Sequence, residues 1–317
     1  MKYRLLNRLL NYLVLSLTFS SINLAILNVR TTAANQIVIS QKNPKKLLLA
    51  SEKKIICDPV CREESRRDDF YIIEPVGSLV NNQPKFSWTA ATGATSYIVR
   101  LQSSTGTVWE LEVNNTEISY PENQPPLEPG KAYNLIVKAI GKEQKETQTR
   151  FILLTKQQAE KLKSQIDNIR NQNLTPQQTA LKIAELYEEN NLITEAKNSY
   201  QQALELAKNQ NDIDEQAWIQ VKLARINLNL DNSDQAIMLL KTAFSNYETS
   251  NNQKLSSQVA QFLGEIYNNL EQKKEAIRWY QQAKAGYEKL KTQKPLEWLE
   301  SDQKRLEWVE KQLRDLN

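Results

Sequence analysis

The 317-residue sequence contains no histidine. That removes Ser-His-Asp hydrolysis, histidine general-base chemistry and the H-E-x-x-H zinc site together. Two cysteines, Cys57 and Cys61, cannot build a structural zinc site without histidine partners. No G-x-x-x-x-G-K-[ST] loop and no G-x-G-x-x-G run occurs, so no phosphate-cradling loop of those kinds is present. Paired-carboxylate catalysis needs no histidine, but no motif singles out a pair. The sequence therefore implies no metal and no cofactor, and the expectation is a protein that is not an enzyme. Glycine is scarce too: of seven residues, five lie between Gly77 and Gly141. Six of the ten prolines lie between Pro75 and Pro129. Beyond residue 150 only Pro176, Pro295, Gly264 and Gly286 punctuate the chain. A turn-rich segment followed by one almost free of breakers predicts β structure followed by α structure.

Acidic residues are absent from the first 34 positions, which hold Lys2, Arg4, Arg8 and Arg30. Those four account for the net charge of +4; without them, 37 basic residues face 37 acidic ones. The basic balance thus gives no reason to expect a nucleic-acid partner. The same stretch has a basic start, an apolar run from Leu9 to Leu27 and small residues at Thr32-Ala33-Ala34. This predicts a secretory signal peptide over residues 1–34, cleaved after Ala34. The alternative is an uncleaved helix that anchors the chain to a membrane, although Asn11, Asn23 and Asn28 weaken a span. Either places the rest of the chain outside the cytoplasm, periplasmic or secreted, with possible association with the cell envelope. Residues 35–69 read as a polar linker. Within it Cys57 and Cys61 stand as CDPVC, which an oxidising compartment would turn into a disulfide. A redox pair is the other reading, but the spacing is C-x-x-x-C rather than C-x-x-C.

From about residue 70 apolar residues alternate: Phe86 and Trp88, Val99 and Leu101, Leu111 and Val113, Leu135 and Val137, Phe151 and Leu153. Period two predicts half-buried strands, about seven of them, in an antiparallel sandwich. The run PKFSWTAATGATSYIVRL resembles strands B and C of a fibronectin type III domain. LEPGKAY, ending at Tyr133, resembles that fold's tyrosine corner, in which the hydroxyl bonds back to the upstream backbone. The resemblance covers residues 70–154. Trp109 is read chiefly as a core or edge residue, and otherwise as a surface aromatic for stacking on a sugar. The second option would make the chain a glycan- or cell-wall-binding protein.

The remainder repeats. IAELYEENNLITEAKNSYQQA from Ile183, LARINLNLDNSDQAIMLLKTA from Leu223 and LGEIYNNLEQKKEAIRWYQQA from Leu263 align without gaps at a period of 40 residues. Small residues coincide at Ala184, Ala224 and Gly264, at Ala196, Ala236 and Ala276, and at Ala203, Ala243 and Ala283. Large ones coincide at Tyr187 and Tyr267, with Asn227 between, and at Tyr200 and Tyr280, with Leu240 between. A repeat of this length marks a solenoid. Glycine in a helix interior costs about 0.5–1 kcal/mol relative to alanine, so Gly264 predicts a close approach of paired helices that offsets that cost. Thr155-Lys-Gln-Gln158 and Thr175-Pro-Gln-Gln178 read as capping boxes, opening a leading helix near 156–171 and the first repeat.

Leu263-Gly264, Tyr267, Ala276, Tyr280 and Ala283 resemble the tetratricopeptide repeat, here lengthened from its usual 34 residues. The second unit departs at Asn227 and Leu240. The resemblance implies an all-α helical solenoid over 155–317, with repeats at about 176–210, 214–250 and 254–291 and a terminal helix from Pro295 to 316. It also implies longer helices than usual and a protein-interaction scaffold. In that family first helices line a concave groove for a protein or peptide partner. Carried over position by position, the groove comprises Gln178, Leu181, Glu185, Glu188 and Glu189, then Trp218, Val221, Arg225, Leu228 and Asn229, then Gln258, Gln261, Glu265, Asn268 and Asn269. Glu185, Trp218, Arg225, Asn229, Glu265 and Asn269 are the foremost partner-binding candidates, with Trp218 as apolar anchor.

Overall fold

The computed structural model describes residues 70–316. The expected signal peptide, linker and Cys57–Cys61 pair lie outside the described residues.

Eight strands form the first part: β1 (Ile72–Glu74), β2 (Gly77–Leu79), β3 (Lys85–Trp88), β4 (Ala94–Ser103), β5 (Gly106–Val113), β6 (Glu117–Ser119), β7 (Ala132–Gly141) and β8 (Lys145–Leu153). They make a three-stranded sheet, β1-β3-β6, and a five-stranded sheet, β2-β8-β7-β4-β5. The alternation works as the pattern implies. Phe86, Trp88, Val99, Leu101, Leu135, Val137, Phe151 and Leu153 all point into one core shared by the two sheets. The exception is β5, where Leu111 is exposed and Trp109 is the buried residue. That strand is an edge of the wider sheet, paired only with β4. β2 pairs parallel with β8, a departure from an all-antiparallel arrangement. The Tyr133 hydroxyl accepts the Glu128 N–H at 2.9 Å, five residues upstream.

Eight helices follow: α1 (Lys156–Arg170), α2 (Pro176–Glu189), α3 (Ile193–Asn209), α4 (Ile213–Asn229), α5 (Ser233–Thr249), α6 (Gln253–Asn269), α7 (Lys273–Gln293) and α8 (Glu300–Leu316). Both capping boxes form, and Pro176 occupies the first turn of α2. The helices α3 to α6 have 17 residues each. Between them a left-handed residue recurs every twentieth position: Asn191, Asn211, Asp231, Asn251 and Glu271, with φ between 53° and 58°. In each case the next N–H reaches back five residues, as from Asn232 to Asn227 O at 2.8 Å and Asn252 to Tyr247 O at 2.8 Å. This is the Schellman closure, usually made with glycine. Asparagine and aspartate tolerate the left-handed region better than other side chains, which is how the solenoid manages with so little glycine. Three of these turns also start the following helix, through side chains of Asp212, Asn232 and Asn252 that accept a backbone N–H.

The small positions are fully buried in all three repeats. At Gly264 an added Cβ would sit 2.5 Å from the Tyr280 ring. Here α6 and α7 approach more closely than a methyl group allows, and the ring occupies the space.

The terminal helix starts at Glu300 rather than Pro295. Residues 294–299 form turns, and the Asp302 carboxylate fixes the start. It accepts the Leu299 N–H at 3.0 Å and the Lys254 ammonium at 2.6 Å. Of the apolar residues after Pro295, Leu306 and Val309 are buried, whereas Leu296 and Leu299 are exposed.

Strands and helices form one compact unit. Ser78 N–H donates to Asn191 O at 2.7 Å, and Gly77 bridges Leu192. Leu154 N–H donates to Leu79 O at 2.8 Å. Leu154 then clusters with Leu162 and Ile166 of α1, Leu186 of α2 and Leu192. Among the described residues no helix is long and apolar enough to cross a membrane.

Candidate partner-binding face

The first helices α2, α4 and α6 place equivalent residues 40 positions apart on corresponding faces. Glu185, Arg225 and Glu265 are half-buried; Glu189, Asn229 and Asn269 are exposed. All six lie in the C-terminal halves of their helices. Nearer the N-termini Gln178 of α2 is exposed, but the other expected positions are closed. Leu181, Val221, Gln258 and Gln261, expected in the groove, are buried, and Trp218 is fully buried. Trp218 is therefore corrected from surface anchor to core residue. Its ring meets the edge of Tyr200 at 6.3 Å and 73°, so neighbouring helices already fill the space a ligand would need. Trp109 is likewise buried, its ring against Phe86 and Tyr120, and is not available to stack on a sugar.

At the α2–α4 seam Glu188 and Lys222 form the centre of a charged cluster, with Glu185 acting on Lys222 and Arg225 acting on Glu188. One oxygen of Glu188 accepts the Tyr200 hydroxyl at 2.7 Å and the Lys222 ammonium at 3.0 Å. Lys222 is almost buried and stands 5.5 Å from the Trp218 ring and 5.9 Å from the Tyr200 ring. A buried lysine is tolerable only when paired, and here the carboxylate and two aromatic faces serve. Burial pushes the Glu185 carboxyl above its ordinary range, against the pull of Lys222. Burial acts on Glu188 in the same sense, but Lys222, Tyr200 and Arg225 outweigh it and hold that carboxyl below the ordinary range. Burial, and then Glu188, pushes the Tyr200 hydroxyl up, so it stays a donor.

Glu265 is held differently. Gln261 donates to it at 2.9 Å, and Tyr287 donates to Gln261 at 3.0 Å. Gln261 thus positions a neighbour from beneath instead of facing solvent. Sequence reasoning did not single out Lys222. The signal was a lysine within the largely apolar run AWIQVKLA, four residues after Trp218.

Paired helices, four of them of 17 residues, with small-against-large contacts and like turns at a 40-residue period make a repeat architecture. The sequence matches the tetratricopeptide repeat-like domain over residues 129–301, more than half of the chain. The chain belongs to the tetratricopeptide repeat-like family. The match begins within the β-region, before β7. Solved structures with similarity include BtubC (BKLC) from P. vanneervenii, at 16% identity over 50% of this chain and 64% of that one, TM-score 0.41. Apo RapI is similar at 17% identity over 49% of this chain and 45% of RapI, TM-score 0.40. The fn3 domain of human collagen alpha-1(XX) chain is similar at 21% identity over 27% of this chain and 82% of that domain, TM-score 0.22. The chain spans less than two thirds of BtubC and under half of RapI. No curated protein matches the sequence. A tetratricopeptide repeat-like solenoid is a protein-interaction scaffold, and the α2–α4–α6 face is the part of this one where charged and amide side chains recur in register.

Proposed function

We propose that this protein is an exported, non-enzymatic scaffold that binds a protein or peptide partner across the face formed by α2, α4 and α6. Glu185, Arg225, Asn229, Glu265 and Asn269 make the contacts. The observation that carries this reading is the α2–α4 seam, where Glu188, Lys222 and Tyr200 lock charged side chains in place beside accessible ones. A preformed polar face loses little side-chain freedom on binding, which is what a peptide site requires. Asn229 and Asn269 can each donate and accept, as a peptide backbone demands. Export is supported by the basic start, apolar run and small residues of positions 1–34. In this reading the β-region is a fibronectin type III-like module. Its two sheets and the Tyr133–Glu128 corner bond support that assignment.

The test is affinity capture from an envelope extract with residues 35–317, beside an Arg225→Ala/Asn229→Ala/Asn269→Ala variant matched in thermal stability. A protein held by the first and lost by the second supports the face. A protein held equally by both overturns it. N-terminal sequencing of the mature protein checks the export step, with a start at residue 35 expected.

A further inference from the structure

Successive second helices of the solenoid leave an outer seam between them, floored by the first helix in between. The seam between α5 and α7 is closed. Phe244 and Trp279 meet edge to face at 5.3 Å, and Tyr267 fills the floor with the Lys241 ammonium 5.5 Å from its ring. The seam between α3 and α5 has the same backbone but different side chains. One period upstream, Phe244, Trp279, Tyr267 and Lys241 correspond to Leu204, Leu239, Asn227 and Gln201. All four line a cleft of about 590 Å³, open to solvent, with Lys197 on its wall. The cleft lies at the positions where the next seam holds three aromatic rings.

Asn227 is the decisive substitution. Its side-chain amide donates back to Leu223 O at 2.8 Å, which draws the group down onto α4. Its Oδ1 accepts no hydrogen bond among the described residues. The floor therefore offers one acceptor between aliphatic walls. Lys197 makes no ion pair or hydrogen bond among the described residues, while Glu205 on the same wall is paired with Lys208 at 2.7 Å. The charge left to a visitor is positive.

We propose that this outer cleft is a docking site for an aromatic side chain of a protein partner, a tyrosine flanked by a carboxylate. The ring takes the place Tyr267 holds in the next seam. Its hydroxyl donates to Asn227 Oδ1, and the flanking carboxylate meets Lys197. A free phenol would be left largely exposed, whereas small-molecule sites enclose most of their ligand. A helix or strand lying along the α3–α5 groove covers the opening and delivers the ring. The site is on different helices from the face proposed above, so each can fail without the other.

The test uses the whole protein and a short alanine-based helical peptide carrying one tyrosine with a glutamate one turn away. Binding is followed by NMR shifts and by calorimetry. The expected result is shifts centred on residues 197–205 and 223–239. Replacing the peptide tyrosine by leucine weakens binding about two- to tenfold. Lys197→Ala weakens it roughly two- to fivefold in a salt-dependent way. Asn227→Tyr fills the cleft from within and removes binding. Should that variant not fold, Leu204→Phe with Leu239→Trp closes the cleft from its walls and serves the same purpose. Equal affinity for the leucine peptide, binding retained when the cleft is filled, or no binding at all overturns the proposal. So does p-cresol alone binding as tightly as the peptide, which would make the cleft a small-molecule site.

Discussion

The β-region and the solenoid bury their apolar faces by different means. In the β-region large meets large: Phe86, Trp88, Tyr97, Trp109, Tyr133 and Phe151 crowd one core with ring centroids 5.4–6.4 Å apart. In the solenoid, besides aromatic pairs such as Tyr200 with Trp218, the contact that repeats is large against small: Tyr200 and Tyr280 lie between helices brought close by alanine and glycine. The first kind of core is most sensitive to lost volume, the second to added volume. That difference sets which substitutions hurt where.

The largest effect is expected from Trp88→Ala. It removes one of the two tryptophan rings of the β core, the more deeply buried, and should cost about 3–5 kcal/mol in denaturant unfolding. A much smaller loss would mean that the two sheets collapse onto the cavity, and would blur the contrast. Next is Gly77→Ala at the junction. The backbone there has φ of +77°, and a Cβ would sit 2.4 Å from Asn191 O. Left-handed strain alone is worth about 1–2 kcal/mol, and the contact with a backbone oxygen adds to it. Hydrogen exchange should show faster opening at Ser78 and Leu192 together. Gly264→Ala should cost about 1–3 kcal/mol by overpacking against Tyr280. Pairing it with Tyr280→Leu, the residue that the second repeat has at Leu240, should recover much of that loss. No recovery would show that the helices, not the ring, set the distance.

The charged seam gives a prediction in pH. The folded-state pKa of Glu188 is lowered, so its contribution is present above the ordinary glutamate range and is lost as pH falls through the lowered value. The stability gap between the wild type and Glu188→Gln should be full at neutral pH and close in acid. A gap that widens on acidification would mean that Lys222 is held by something else. The smallest effect is a gain. Glu271 is the one left-handed turn residue that is neither asparagine nor aspartate. Glu271→Gly should stabilise the α6–α7 hairpin by about 0.5–1 kcal/mol, read as a small rise in Tm.

The local rules were legible in the sequence. The capping boxes, the buried small positions, the contact at Gly264 and the Tyr133 bond follow from residues a few positions apart or one period apart. What was not legible needed the third dimension. Glu188 and Lys222 are 34 residues apart, and no spacing rule joins them. Trp218 occupies the same repeat position as the exposed Gln178, so burial there depends on having a preceding repeat to pack against. The 20-residue recurrence of Asn and Asp at 191, 211, 231 and 251 was present in the sequence, but glycine is the usual marker of that turn and its absence concealed the signal. At the C-terminal end, Pro295 suggested a helix start that Asp302 defers, through a salt bridge to Lys254 on another helix.

The regular turns limit how such a chain can change in length. A single inserted residue rotates everything downstream in its helix by about 100° and would throw the tyrosines off their alanines. An insertion of one whole period, between equivalent turns such as Asn211 and Asn251, restores every contact at both ends. The distance from the β-region to the terminal helix is thus quantised. It can grow by duplication in full steps, while the bridge between Gly77 and Leu192 keeps the origin of the scale fixed.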